Sequence, residues 1–241
     1  MFLCPALAAC LDAHRRAGSA GVRQLLAGAV DVRRIPPGSG RILSLFLMPA
    51  VLAAAYGIMA ATGMPLPEKL ELPLLQAPAL FVLFFASAAA EEAAWSGPLL
   101  EALRSRTSAL ASGVAIGVIW AVWHLVPWAQ GGRSWRWIAG QALFTVAFRV
   151  MLVRLFDLTG GVLATPVVAH AAYNVAWQLF PNRGSHYDPW LTAALTALVA
   201  AFASMKTRTG TRRSAARPDP PDRQVQGVEC EPSSSTARSG T

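Results

Sequence analysis

Ionised side chains are scarce in this sequence. Asp, Glu, Lys and Arg make up 14% of its 241 residues, against 54% hydrophobic. Soluble domains carry about a quarter charged residues, so most of this chain cannot be the surface of a water-soluble globule. Lysine is almost missing: Lys69 and Lys206 stand alone among 21 basic residues, an arginine bias expected of a GC-rich bacterial gene. Cysteine is rare as well. Cys4, Cys10 and Cys230 are scattered, odd in number and without a CxxC pair, which excludes a disulfide framework and a thiolate zinc site. No HExxH, GxSxG or GxGD motif occurs, which removes the zincin helix, the serine elbow and the paired-aspartate membrane site. Asp157 merely ends an apolar run, and no internal repeat is present.

What the chain does have is long apolar runs. Crossing about 30 Å of hydrocarbon at 1.5 Å per residue takes roughly 17 to 25 residues. Six runs qualify, at about 42–62, 78–103, 108–128, 137–156, 162–180 and 189–205. The sequence therefore predicts an all-α, polytopic membrane bundle of about six transmembrane helices, one domain over 42–205. The second run is the weakest, because Glu91, Glu92, Gly97 and Pro98 interrupt it, yet Leu99-Leu100-Glu101-Ala102-Leu103 still reads as helix. Residues 206–241, rich in Pro, Ser, Thr and Arg, cannot repay ordering entropy and are expected to form a disordered basic tail.

Formal charge is +8, and 13 of the 21 basic residues fall in the first 41 positions or from Lys206 onward. Flanking charge of this kind orients a protein in a membrane and does not describe a nucleic-acid surface. The expected partners are a lipid bilayer and a membrane protein or peptide substrate, with no nucleic acid. Arg15, Arg16, Arg23, Arg33, Arg34 and Arg41, the loop with Arg104 and Arg106, the turn near Arg154 and the tail share one side, which places both termini in the cytoplasm of a multi-pass inner-membrane protein. The loop with Glu68, Lys69 and Glu71 and the 182–188 loop go outside; Arg133 and Arg136 join them against the rule. Residues 1–41 are read as a cytoplasmic arm. Their apolar start is short and runs into Asp12, His14, Arg15 and Arg16 rather than a cleavage site, and 22–30 has the pattern of a short amphipathic helix on the membrane surface.

Against this background a few polar residues stand out. Ionisable groups inside apolar spans are costly and mark function by default. Glu91 and Glu92 sit in the second run, His124 in the third, Arg149 in the fourth, and His170 with Asn174 in the fifth. Counted from the charged ends near Arg104, Ser108 and Gly161, Glu91, His124 and His170 lie roughly 20, 24 and 14 Å deep at 1.5 Å per residue. Helix tilt absorbs that difference, so the three reach one depth. Glu91 and Glu92 project about 100° apart, so only one can face a given partner squarely, and two carboxylates this close cannot both ionise cheaply. Trp120 precedes His124 by four positions and shares its face; His170 and Asn174 are paired the same way. A carboxylate and imidazole can activate water, and two donors at that spacing can aim at one developing negative charge. Read more plainly, the same groups would be surface carboxylates, a packed histidine and interhelical hydrogen bonds.

In that order these segments resemble a known family. Glu91-Glu92-Ala-Ala-Trp95-Ser96-Gly97 is similar to the first motif, EExxxR, of the CAAX-protease and bacteriocin-processing membrane family, also called ABI or CPBP. Trp120-Ala-Val-Trp123-His124 resembles its second motif, FxxxH, and His170-Ala-Ala-Tyr173-Asn174 its third, HxxxN. The resemblance implies a helical intramembrane endopeptidase in which Glu91 and His124 activate water while His170 and Asn174 hold the oxyanion. Glu92 orients the pair or shares its proton. Trp95, Trp120 and Arg149 are expected to contact substrate.

Two departures from the pattern stand out. The motif arginine is Ser96 here, and Arg149 is the candidate cation for Glu92 in its place, unless it snorkels to a surface. Members also carry further spans ahead of the segment that residues 22–41 resemble, so a shortened N-terminus is expected. Zinc held by Glu91, His124 and His170 with an open position is the alternative chemistry; with HExxH absent and Asn174 beside His170, no metal and no other cofactor is favoured. Two rival functions remain: a catalytically inactive immunity or scaffold protein of the same fold, favoured by Ser96, and a transporter relaying protons through the glutamates, which lacks paired broken helices.

Overall fold

A computed structural model describes residues 3–215, with side chains in the last helix described to residue 203. Among the described residues the chain is all-α, with no strand. In chain order the helices are α1 (Leu3–Val30), α2 (Ser39–Thr62), α3 (Ala77–Trp95), α4 (Pro98–Arg104), α5 (Ala109–Gln130), α6 (Trp135–Leu158), α7 (Ala164–Leu179), the single turn α8 (Pro181–Gly184) and α9 (Pro189–Ala215). Local chemistry sets several boundaries. Ser108 and Ser134 cap α5 and α6 by accepting from the amides of Ala111 and Trp137. Gly63, at φ 69°, closes α2 in the left-handed conformation that glycine adopts without a Cβ penalty.

Four segments are long and apolar enough to cross a membrane: Ser39–Thr62, Leu74–Arg104, Ala109–Gln130 and Trp135–Leu158. The two remaining predicted spans are shorter in that sense. α7 has 16 residues, and α9 is apolar over Pro189–Ala203, as far as its side chains are described. The reason for α7 is its position, since every residue from Ala164 to Tyr173 is buried. A helix wrapped by other helices meets little lipid and need not match its thickness.

The second predicted span is not one helix. It breaks at Gly97, whose ψ of −121° is non-helical and where an added Cβ would stand 2.3 Å from the Ala93 carbonyl oxygen. Pro98 then starts α4, supplying no amide hydrogen to continue the ladder of α3. At the C-terminus, α9 carries helix through Ala215 and so overruns the start of the expected tail; residues 216–241 of that tail lie outside the described residues.

The tightest helix pair is α5 with α6. A Cβ at Gly113 would lie 3.1 Å from the Val150 Cα, and one at Gly117 2.8 Å from the Val146 Cα. Glycines four apart let two backbones approach where lipid provides no hydrophobic drive for association. This contact carries Arg149, whose Cβ lies 3.2 Å from the Cβ position of Gly117, into the middle of the bundle. The N-terminal arm is also attached. α1 bends at Gly18 (φ 60°) and buries Ala9, Leu25 and Ala29 against Ala93 and Ala88 of α3.

Turns meet at the two ends of the bundle. At one, Gly40 packs on Thr159 and Arg104 pairs with Asp157. At the other, Glu71 and Asn182 exchange hydrogen bonds, each amide nitrogen 3.1 Å from its acceptor, and the Trp190 indole donates to the Arg136 carbonyl at 3.0 Å. The loop charges group the turns in the same way.

Candidate active site

The adjacent glutamates of α3 face different helices, as neighbours on a helix must. Glu92 points at α6 and α7. Arg149 grips it in a bidentate pair, Nη1 to Oε2 at 2.7 Å and Nη2 to Oε1 at 2.8 Å, with both side chains 0% exposed. Ser96, one turn later on α3, donates its hydroxyl to Oε2, and His170 Nδ1 lies 3.0 Å from Oε1. Four donors satisfy one carboxylate, so Glu92 has no acceptor left for water. Arg149 also balances its charge, which removes the competition between two neighbouring carboxylates.

Glu91 points at α5 and lines a cavity of about 250 Å³. One of its oxygens, Oε2, accepts from the Trp120 indole at 3.0 Å; no hydrogen bond is made by Oε1 among the described residues. His124, His170 and Asn174 line the same cavity. His124 Nδ1 lies 2.9 Å from the Trp120 carbonyl oxygen, which can only accept. The ring therefore carries its hydrogen on Nδ1 and keeps the Nε2 lone pair for the cavity. His170 is oriented by a similar bond, Nδ1 donating to Glu92, and its Nε2 is a second donor when it also carries a hydrogen.

Trp120 ties the site together. Its ring lies edge-on to His124 at 5.8 Å and to His170 at 5.0 Å, stacks on Phe148 at 5.9 Å, and carries the Arg149 guanidinium over its face at 4.4 Å. A single indole thus spaces two imidazoles and orients a carboxylate, with a cation–π contact holding its other face.

The structure brings Glu91, Trp120, His124, His170 and Asn174 to one cavity. Glu92 and Arg149 stand behind its wall rather than in it. Trp95, expected to contact substrate, is elsewhere: its buried ring lines a groove with Cys4, Ala8 and Asp12 of α1 and with Trp123, so α1 takes its face. Gln141, Phe144, Phe148, Tyr173 and Trp177 also line the cavity and were not singled out in the sequence. Only Gln141 carried a signal there, as a lone amide in an apolar run. Among the described residues, no three of His, Cys, Asp and Glu gather closely enough to hold a metal ion. Glu91, His124 and His170, the alternative zinc set, are not such a group.

No curated protein matches the chain. The model of one protein family, described as type II CAAX prenyl endopeptidase Rce1-like, matches residues 73–176. That stretch includes α3, the α5–α6 pair and the α7 residues His170 and Asn174, and so Glu91, Glu92, Ser96, Trp120, His124, Gln141 and Arg149 as well. Over residues 73–176 this membrane bundle is therefore similar to the Rce1-like family.

Proposed function

We propose that the protein is an intramembrane endopeptidase that hydrolyses a peptide bond with a water activated by Glu91 and His124. The observation that carries this reading is an asymmetry: of two adjacent glutamates, one is fully buried and saturated by four donors, while the other, half-buried, offers an unspent oxygen to a cavity shared with two aimed imidazoles. Water held between Glu91 and His124 Nε2 gives its proton to Glu91 as its oxygen bonds to the scissile carbonyl carbon. The carbonyl oxygen becomes an oxyanion, which the Asn174 amide and a protonated His170 Nε2 stabilise by donating hydrogen bonds. As the tetrahedral centre collapses and the C–N bond breaks, Glu91 returns the proton to the leaving amine. Glu92 and Arg149 act through His170 and Trp120 by holding their orientation.

No step in this scheme draws on a metal. The substrate class is a membrane protein or membrane-associated peptide, in keeping with the family and with aromatic cavity walls. Residues 1–41 form an arm to the 42–205 catalytic domain, and the basic end of the bundle faces the cytoplasm of a bacterial inner membrane, with both termini there.

The test is cleavage of a proteome-derived peptide library by the protein in lipid nanodiscs, read by mass spectrometry. Glu91→Gln is expected to lower cleavage by about a hundredfold or more. Cleavage by this variant at the wild-type rate would remove the mechanism, and wild-type protein cleaving nothing would favour the inactive scaffold.

A further inference from the structure

Gln141 is the buried amide of the cavity wall, 7% exposed and about two helical turns before Arg149 on α6. Its Nε2 donates to the Tyr173 hydroxyl at 3.3 Å, while its Oε1, fully shielded, has no hydrogen-bond partner. On the same cavity the Trp177 indole N–H is a second buried group without a partner, while other polar groups are occupied. Thr145 returns its hydroxyl to the Gln141 carbonyl at 2.8 Å, and the Nδ1 atoms of both histidines are committed. The rings of Phe144, Phe148 and Tyr173 line the same cavity.

A buried amide oxygen left unpaired is costly, and an unpaired buried polar atom calls for an explanation, a role in binding or catalysis among them. The cavity that holds Gln141 also holds Glu91, His124, His170 and Asn174, so what completes it is part of what enters that cavity. On the endopeptidase reading, the entrant is a peptide. The donor that every peptide brings, whatever its side chains, is a backbone N–H. A charged side chain would lose its hydration in this apolar wall with only one neutral acceptor to replace it.

We infer that Gln141 is a substrate-binding residue whose side-chain amide turns as a peptide enters, so that Oε1 accepts a backbone N–H beside the scissile bond. It anchors the chain on α6 while the carbonyl to be attacked lies between Glu91 and Asn174. One neutral acceptor reading a main-chain donor gives register without side-chain selectivity, so Gln141 fixes where a peptide is cut and leaves sequence preference to the aromatic walls.

The experiment takes one peptide cleaved from the library and replaces single amides near the cut by esters, each of which deletes one N–H. At one position the ester is expected to lower wild-type kcat/KM about tenfold, the value of one hydrogen bond to a neutral group, mostly through KM. Gln141→Met, which keeps length and removes the acceptor, is expected to cleave amide and ester equally. Gln141→Glu, which keeps an acceptor oxygen, is expected to retain the discrimination. Wild-type indifference to every ester overturns the inference without any variant having to fold, and so does a Gln141→Met protein that still discriminates tenfold. Wild-type failure to cleave any library peptide defeats the endopeptidase reading itself, a distinct result that takes this inference with it.

Discussion

Arg149 on α6 and Glu92 on α3, 57 positions apart, form a bidentate ion pair in which neither side chain touches solvent. The guanidinium reaches Glu92 from a different helix than the EExxxR motif would supply, and Ser96, at the motif's arginine position, donates a hydroxyl to the same carboxylate. Removing one partner of a buried pair leaves an uncompensated charge, so Arg149→Ala is expected to destabilise the protein by about 3–5 kcal/mol. Ser96→Arg is expected to recover much of that loss in the Arg149→Ala background, yet to destabilise the wild type by crowding two cations onto one carboxylate. Thermal unfolding in detergent of the two single variants and the double variant distinguishes these outcomes.

Gly117 lets α5 reach α6. With a Cβ placed 2.8 Å from the Val146 Cα, Gly117→Ala must push the helices apart, at a cost of about 1–3 kcal/mol. Arg149 and Trp120 flank this contact, so the variant is also expected to lose activity while remaining helical. Unfolding and peptide cleavage measured on the same preparation check both parts. A variant with wild-type stability would show that the approach of the two backbones is not as close as described.

Trp120 offers Glu91 an indole N–H at 3.0 Å. Trp120→Phe keeps a ring between the imidazoles and removes that donor. Activity is expected to fall about tenfold, as for loss of one hydrogen bond to a charged group, with little loss of stability. Trp120→Ala, which also deletes the ring packed on Phe148, is expected to lose about 3–5 kcal/mol of stability as well. Rates and unfolding temperatures of the two variants separate orientation from packing.

Asn174 belongs to the oxyanion step in this account. Asn174→Ala is expected to lower kcat by about 10²–10³ with KM nearly unchanged, because the bond it removes forms only as the carbonyl becomes tetrahedral. A rise in KM at constant kcat would make Asn174 a ground-state contact instead.

Much of the site was legible because membrane segments make polar residues conspicuous. Glu91, His124, His170 and Asn174 stood out against their apolar runs, and helical spacing put each pair on one face. The division of labour between Glu91 and Glu92 was not legible, since it depends on which carboxylate meets α6, a distance set by the glycine contact of α5 and α6. Arg149 could be named as a candidate but not placed, for the same reason. Trp95 was expected to contact substrate; the packing of α1 on α3, which takes that face, leaves only a weak apolar pattern in the first 30 residues. The break at Gly97-Pro98 was visible, but the leucines after it kept a helical pattern and masked it. Phe144, Phe148 and Tyr173 read simply as core, because an aromatic ring that lines a cavity has the same sequence signature as one that fills it.

The most direct test of the central claim, that Glu91 and His124 act together on one water, is a double-mutant cycle of cleavage rates for Glu91→Gln, His124→Ala and the combination. Groups that work as a unit are non-additive, so the account predicts that the double variant is about as slow as the slower single variant. Independent losses that multiply in the double variant, or a Glu91→Gln protein with wild-type turnover, would contradict it.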